Sequence, residues 1–250
     1  MSTVQTSTRV RVAAITGASR GLGAGMAQFF LDRGMRIAVC ARTLPPFEND
    51  GRSMARAVDV TDHAAVTSFC AEAVERFDQI DLWINNAGIL TPMGPLRDND
   101  PADFTRHIEV NVLGTFHGSQ AFIRHLHERG GEGTLINMSS GAARNAYAGW
   151  SAYCSGKAAV DRMSQAIALE ESQYGLRVHA VSPGVIDTDM QDIIRNSHPA
   201  IFPKVHKFVE LKNNNQLSTP EFVAEHILKL CFDPVHRTED VLVSLPRPQP

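Results

Sequence analysis

Apolar runs of strand length, separated by stretches of helical period, constrain this chain more than any other feature. Five of them, Val10–Thr16 (VRVAAIT), Arg36–Ala41 (RIAVCA), Asp81–Asn85 (DLWIN), Gly133–Met138 (GTLINM) and Leu176–Ser182 (LRVHAVS), are nearly continuous rather than alternating. A strand that is apolar on both sides of its pleat is covered on both faces. Helical patterns fill the gaps at Leu22–Arg33, Ala64–Phe77, Pro101 to Arg129 and Ala152–Tyr174. A further strand is expected to end in VDVTD at Asp59, and DVLVSL supplies the last one. Before DVLVSL, STPEFVAEHILKLCF reads as a helix with a Ser/Thr cap and an early proline, Pro220. Strand and helix in strict alternation predict an α/β protein: one doubly wound parallel sheet of about seven strands, with right-handed crossovers and helices on both faces.

With 250 residues and no linker or repeat, the chain is expected to form a single domain, 1–250, led by a flexible polar segment, 1–9. From about 190 to 217 periodicity fades while apolar residues persist, as in a substrate lid. The formal net charge is −3 and no Lys/Arg block occurs, so neither nucleic acid nor an anionic membrane is an expected partner. The absence of a signal-like or spanning apolar run sets the expected location as cytoplasmic. Cys40, Cys70, Cys154 and Cys231 are scattered, and His125 and His127 point to different helix faces, so no metal site is expected.

The first strand runs into TGASRGLGAG, with Gly17, Gly21 and Gly23 at the strand-to-helix junction. Glycines there permit a tight turn and close backbone approach, and the following helix N-terminus offers free N–H groups to a pyrophosphate. The second strand ends in Arg42 with no carboxylate before Glu48. An acidic residue at that place would bind a ribose 2′-hydroxyl, whereas Arg42 and Arg20 could bracket a 2′-phosphate, so NADP(H) is the expected cofactor. Two solvated surface arginines are the competing reading. Asp59 could accept from the adenine amino group or merely cap the next helix, and Asn85–Gly88 (NNAG) could wall the adenine-ribose side and tie strands together.

Tyr153 and Lys157, in WSAYCSGKAA, sit at i and i+4 on one expected helix face. A free phenol titrates near 10, and a nearby ammonium favours its ionised form, which suits proton exchange with a carbonyl or alcohol. Ser140, in NMSSG, follows the preceding strand, where ligands of open α/β sheets bind, and can hydrogen-bond a developing oxyanion. Ser139 beside it reads as structural.

Together, TGxxxGxG at Thr16–Gly23, NNAG at Asn85–Gly88, Asn111 in VNVLG, Ser140 and YxxxK at Tyr153–Lys157 resemble the short-chain dehydrogenase/reductase family, in family order and over nearly the whole chain. The resemblance implies a Rossmann-type fold and a catalytic set of Ser140, Tyr153, Lys157 and Asn111. In it the asparagine supports a water-linked proton relay to the lysine, and the lysine holds the nicotinamide ribose. It implies a cofactor site built from Gly17, Ser19, Arg20, Gly21, Leu22 and Gly23, then Arg42, Asp59 and Val60, then Asn86, Ala87 and Gly88. Tyr153 and Lys157 also touch the cofactor, and Pro183, Gly184, Ile186 and Thr188 in SPGVIDT frame the nicotinamide.

Within the family, the chain is similar to the sepiapterin reductase and benzil reductase group. That similarity implies an NADPH-dependent carbonyl reductase of vicinal diketones such as benzil, acting as a homodimer or homotetramer. A sepiapterin-type pterin reductase and a non-catalytic NADP(H)-binding regulator remain the alternatives. Sepiapterin reductases anchor the pterin with an aspartate on the last strand, where this chain has Ser244. An apolar small-molecule carbonyl compound, met by Ser140, Tyr147, Trp150, Met190 and Phe202, fits that difference better.

Overall fold

The computed structural model describes residues 9–247, so the expected flexible lead, apart from Arg9, lies outside the described residues. Seven strands form one parallel sheet in the order β3-β2-β1-β4-β5-β6-β7. They are β1 (Val12–Thr16), β2 (Arg36–Ala41), β3 (Ser53–Ala57), β4 (Leu82–Asn85), β5 (Gly133–Met138), β6 (Leu176–Ser182) and β7 (Leu242–Ser244). The order reverses direction between β1 and β4, which opens a crevice at their carboxyl ends.

The helices are α1 (Gly21–Asp32), α2 (His63–Phe77), α3 (Pro101–Ile108), α4 (Gly114–Arg129), α5 (Ser151–Glu170), α6 (Asp189–Arg195), α7 (Val205–Asn213) and α8 (Pro220–Phe232). Alternate strand residues serve two cores. Val12 and Ala14 join Phe69, Trp83, Phe122 and Ile167 beneath α2, α4 and α5, while Ala13 and Ile15 join Met26, Phe30 and Ile227 beneath α1 and α8. This is the doubly covered sheet that continuous apolar runs require.

Three local differences have physical reasons. The long helix expected from Pro101 to Arg129 is interrupted by a π-turn at Glu109–Leu113, where the Gly114 N–H reaches back to the Glu109 carbonyl. Such turns widen a helix by one residue and reorient its side chains. The helix expected to reach Tyr174 ends at Glu170, and the chain turns through Gly175 at φ 76°. Third, residues 190–217 are not irregular: α6 and α7 fold there and pack on each other.

A buried amide chain stitches the sheet to its helices below the carboxyl ends. Trp83 Nε1 donates to Asn85 Oδ1 (2.8 Å), Asn85 Nδ2 donates to Asn137 Oδ1 (2.8 Å), and Asn137 Nδ2 donates to Ser164 Oγ (2.9 Å) on α5. Each partner is satisfied, so the network fixes β4, β5 and α5 in register instead of costing stability.

Candidate active site

At the amino end of α1 the backbone is shaped for close approach. Gly17 adopts φ 70°, and a Cβ on it would lie 2.6 Å from the Ala87 Cα, so no other residue fits. Asn86 holds the turn, its Nδ2 donating to the Thr16 and Gly17 carbonyls (both 3.0 Å), while Thr16 Oγ1 accepts from the Asn86 and Ala87 N–H groups (3.0 and 3.1 Å). Arg20 occupies the N-cap in extended conformation with no side-chain cap, and no acidic residue stands in the first turn. The N–H groups of this helix end are thereby left to an anion.

Ser19 and Leu22 are half-buried in this turn, and Gly23 is buried. The segment Pro183–Thr188 faces it: a Cβ on Gly21 would touch the Thr188 methyl at 3.4 Å, and Arg20 pairs with Asp189 (2.9 Å) across the gap. Both partners of that pair are well exposed, so water competes and it holds little. Gly184 takes φ 84°, and Ile186 is buried and bridges to Ser218. Arg42 stands exposed directly after β2, with Thr43 beside it.

Asp59 has its carboxylate engaged on both oxygens. Oδ1 accepts from the Thr61 N–H and hydroxyl (3.0 and 2.9 Å), and Oδ2 accepts from Arg106 Nη2 (2.9 Å). Partial burial raises its pKa, but these donors outweigh it and hold the carboxyl below the usual range. The residue that caps α2 is Asp62, whose side chain accepts from the Ala65 N–H (3.0 Å). Val60 is buried under Gly114 and its carbonyl accepts from His117 Nδ1 (2.9 Å).

Across the crevice, β5 and α5 bring the chemical groups together. Ser140 follows β5, half-buried, its hydroxyl accepting from the Ala142 N–H (3.2 Å) at the start of a short 3-10 turn. Tyr153 and Lys157 lie on the first two turns of α5, with the lysine Nζ 5.8 Å from the tyrosine ring centre. Burial pushes the phenol pKa up, partly countered by the Ser140 hydroxyl. The ammonium of Lys157 donates to the Met138 carbonyl (2.7 Å), and burial pulls its pKa down to about 8 against the opposing pull of Asp161. The expected depression of the phenol pKa pairs the lysine ammonium with the positive nicotinamide of the oxidised cofactor, whereas desolvation governs both groups in the protein by itself.

Asp161, one turn beyond Lys157, is buried; its Oδ1 accepts from the Ser139 hydroxyl and its Oδ2 lies 3.8 Å from Arg144 Nε. Arg144 Nη2 also donates to the Ser244 hydroxyl (3.2 Å) at the end of β7.

Asn111 sits within the π-turn, and its amide is locked. Oδ1 accepts from the Ile89 N–H (2.8 Å) and Nδ2 donates to the Ile89 carbonyl (2.8 Å) and to His107 Nε2 (2.7 Å). His107 Nδ1 lies 2.7 Å from the Thr91 carbonyl, which can only accept, so the proton is on Nδ1 and Nε2 receives the asparagine. The imidazole is fully buried and edge-on to Tyr153, with ring centres 6.2 Å apart. Burial lowers its pKa, Thr91 opposes this and Lys157 adds to it, so it is neutral beside the site. No sequence motif had flagged His107 or Asp161.

A wall of aromatic rings closes the outer side. Phe202, fully buried, stacks on Trp150 at 4.4 Å and 11°, with Tyr147 5.1 Å and Phe208 5.5 Å from the same indole. Trp150 meets Tyr153 edge-on at 5.4 Å, and Met190 packs on the cluster's margin. Gly149 adopts φ 87°, and a Cβ there would lie 2.1 Å from the Ile201 carbonyl oxygen, so the 190–217 segment docks its backbone on glycine. Phe202 is thus drawn from solvent into contact with the residues expected to meet substrate.

Fold and crevice define the class: a Rossmann-type α/β protein with its polar groups gathered over the carboxyl ends of the strands. A family model described as short chain dehydrogenase matches residues 11–198, and the chain belongs to this family of oxidoreductases acting on alcohol and carbonyl groups. Among its relatives are the benzil reductases ((S)-benzoin forming) of Bacillus subtilis and Bacillus cereus. The first is 32% identical over 222 residues, 86% of this chain and 91% of that one; the second is 32% identical over 234 residues, 88% and 94%. A solved 3-ketoacyl-(acyl-carrier-protein) reductase from Brucella melitensis, complexed with NADH, matches with a TM-score of 0.80 and 27% identity, covering 95% of this chain and 97% of that one.

Proposed function

We propose that the chain is an NADPH-dependent carbonyl reductase that converts one carbonyl of a vicinal diketone to an alcohol. The observation that carries the reading is the convergence of Ser140, Tyr153, Lys157 and Asn111 on the crevice whose other wall is the uncapped N-terminus of α1. The glycine cradle and free N–H groups suit a pyrophosphate, and Arg42, with no carboxylate beside it on β2, favours a 2′-phosphate. NADPH, when bound, supplies the hydride. The Brucella structure is complexed with NADH, and the preference for NADPH in this reading rests on Arg42.

Ser140 donates its hydroxyl proton in a hydrogen bond to the carbonyl oxygen as charge develops there, and Tyr153 delivers its phenolic proton to that oxygen. Lys157, charged and facing the phenolate that results, stabilises it and holds the ribose. Asn111, pinned by Ile89 and His107, fixes the water path by which the tyrosine is reprotonated. Segment 190–217 acts as the lid, and the rings of Tyr147, Trp150 and Phe202 with Met190 exclude water and favour an aryl substrate.

The benzil reductase relatives support this substrate class. A pterin is disfavoured because Arg144 places a guanidinium, rather than a carboxylate, at Ser244. Exposed Leu113, Phe116, Leu169 and Tyr174 on and beside α4 and α5 suit a homodimer or homotetramer, and a cytoplasmic location completes the proposal.

NADPH oxidation with benzil and with 1-phenyl-1,2-propanedione tests it. Turnover is expected with both, and Tyr153→Phe is expected to lose it by about 10²- to 10⁴-fold while NADPH binding persists. Tight NADPH binding without turnover of these or a broad carbonyl panel would leave the non-catalytic regulator as the better account.

A further inference from the structure

At the amino ends of the strands, on the side of the sheet opposite the crevice, lies a second concavity of about 280 Å³. Arg9 and Arg11 enter it ahead of β1, Arg129 from the end of α4, Arg177 from the start of β6 and Arg237 from the loop before β7. Two carboxylates, Asp81 and Glu132, share the lining with these five guanidiniums. The imbalance stands out on a chain whose formal net charge is −3.

Asp81 is already committed. It accepts from the Val12 N–H (2.8 Å), from Gln79 Nε2 (2.8 Å) and from Arg9. Among the described residues, Arg9 alone of the five lies within 4.0 Å of a carboxylate. Three of the others are held by neutral groups. Arg129 Nη2 donates to the Glu132 and Ile80 carbonyls (2.7 and 3.3 Å), and Arg177 Nη2 donates to Thr134 Oγ1 and the Cys231 carbonyl (2.9 and 2.8 Å). Arg11 lies over the Phe232 ring at 3.8 Å.

These anchors fix the guanidiniums and leave donors over. Arg129 Nε and Arg177 Nη1 are both buried with no hydrogen-bond partner. An unpaired buried donor is costly, more so on a charged group, so these two arginines are held beside the concavity with their charge incompletely satisfied. The like charges also work against each other: burial lowers the pKa of Arg177 and Arg237 adds to this, and burial with Arg9 does the same to Arg129 against Asp81.

We propose that this concavity binds a phosphate group, with the guanidiniums of Arg129 and Arg177 as its inner wall and Arg11 and Arg237 as its rim. A planar carboxylate is matched by one guanidinium fork, whereas these donors arrive from separate elements and suit the tetrahedral spread of phosphate oxygens. The volume suits a small ion with several waters rather than a polymer. A bound phosphate joins the starts of β1, β5 and β6, so its effect is on the stability of the sheet.

The test is a melting curve of the cofactor-free full chain in inorganic phosphate, in glycerol 3-phosphate and in chloride of matched ionic strength. At about ten times Kd, the phosphate arm is expected to raise Tm by about 3 °C over chloride. Inorganic phosphate outperforming the monoester identifies the free ion as ligand, and the reverse identifies a phosphomonoester. Arg11→Gln with Arg237→Gln, both at exposed positions, should abolish the rise, with Tm in chloride lowered by no more than the loss of the Arg11–Phe232 contact that Arg11→Gln alone measures, and Arg42→Ala should keep the rise. A rise that survives the double substitution but disappears in Arg42→Ala belongs to the cofactor crevice and overturns the proposal, as does the absence of any rise over chloride.

Discussion

Replacing Asp161 by Asn should move the alkaline limb of the enzyme's pH profile toward neutrality. Lys157 is buried, with a pKa pulled down to about 8, and Asp161 is the charge that opposes the fall. One helical turn separates them by about 6 Å, and at an effective dielectric of 20 a charge pair at that distance is worth about 2.8 kcal/mol, or about two pH units. The carboxylate is shared with Ser139 and Arg144, so about half of that, one unit, is the expected shift. Asparagine keeps the shape and can still accept from Ser139, which separates loss of charge from loss of packing. The quantity to measure is kcat/KM for NADPH, because it reports the free enzyme. With the limb moving from about 8 to about 7, the variant-to-native ratio falls from near one at pH 6 to about one-fifth at pH 8. A ratio that is constant with pH would mean that the substitution acts through packing alone, and a limb that moves upward would refute the electrostatic reasoning outright.

Arg42→Asp should weaken NADPH by about 10- to 100-fold while leaving NADH nearly unchanged, by fluorescence titration; equal losses would remove Arg42 from the 2′-phosphate. Phe202→Ala should remove one of the rings that favour an aryl substrate, so kcat/KM for benzil should fall by about threefold to tenfold relative to 2,3-butanedione, and an unchanged ratio would show that the lid ring does not meet substrate. Acid should destabilise the fold. His107, His125 and His179 are all held by burial below their unfolded pKa of 6.5, so as pH falls from 7 the unfolded chain takes up protons first. Stability is then lost at up to about 4 kcal/mol per pH unit if all three protons are withheld. Urea midpoints at pH 7, 6 and 5 measure this, and a flat series would contradict it.

The strand runs were legible because a doubly covered strand carries few polar residues, those present being paired as Asn85 and Asn137 are, so hydrophobicity marks it without any alignment of periods. The tyrosine, lysine, serine and glycines were legible because each must sit at a fixed offset from a strand or helix end. What escaped was set by tertiary packing. The π-turn at Glu109–Leu113 escaped because a single widened turn inside a long helical run carries no residue signature of its own. The order in 190–217 escaped too, because α6 and α7 are short and depend on docking to Trp150 rather than on a long amphipathic stripe.

His107 and Asp161 are the more instructive omissions, because the signal was present. His107 lies four residues before Asn111 and Asp161 four after Lys157, which places each on the inward face of its helix beside a group already singled out. A titratable residue one turn from a catalytic candidate has two outcomes in a buried site: it satisfies its neighbour or it costs desolvation. Both residues here do the first, His107 by orienting an amide and Asp161 by holding a charge, so their removal should change pH dependence and turnover before it changes cofactor affinity.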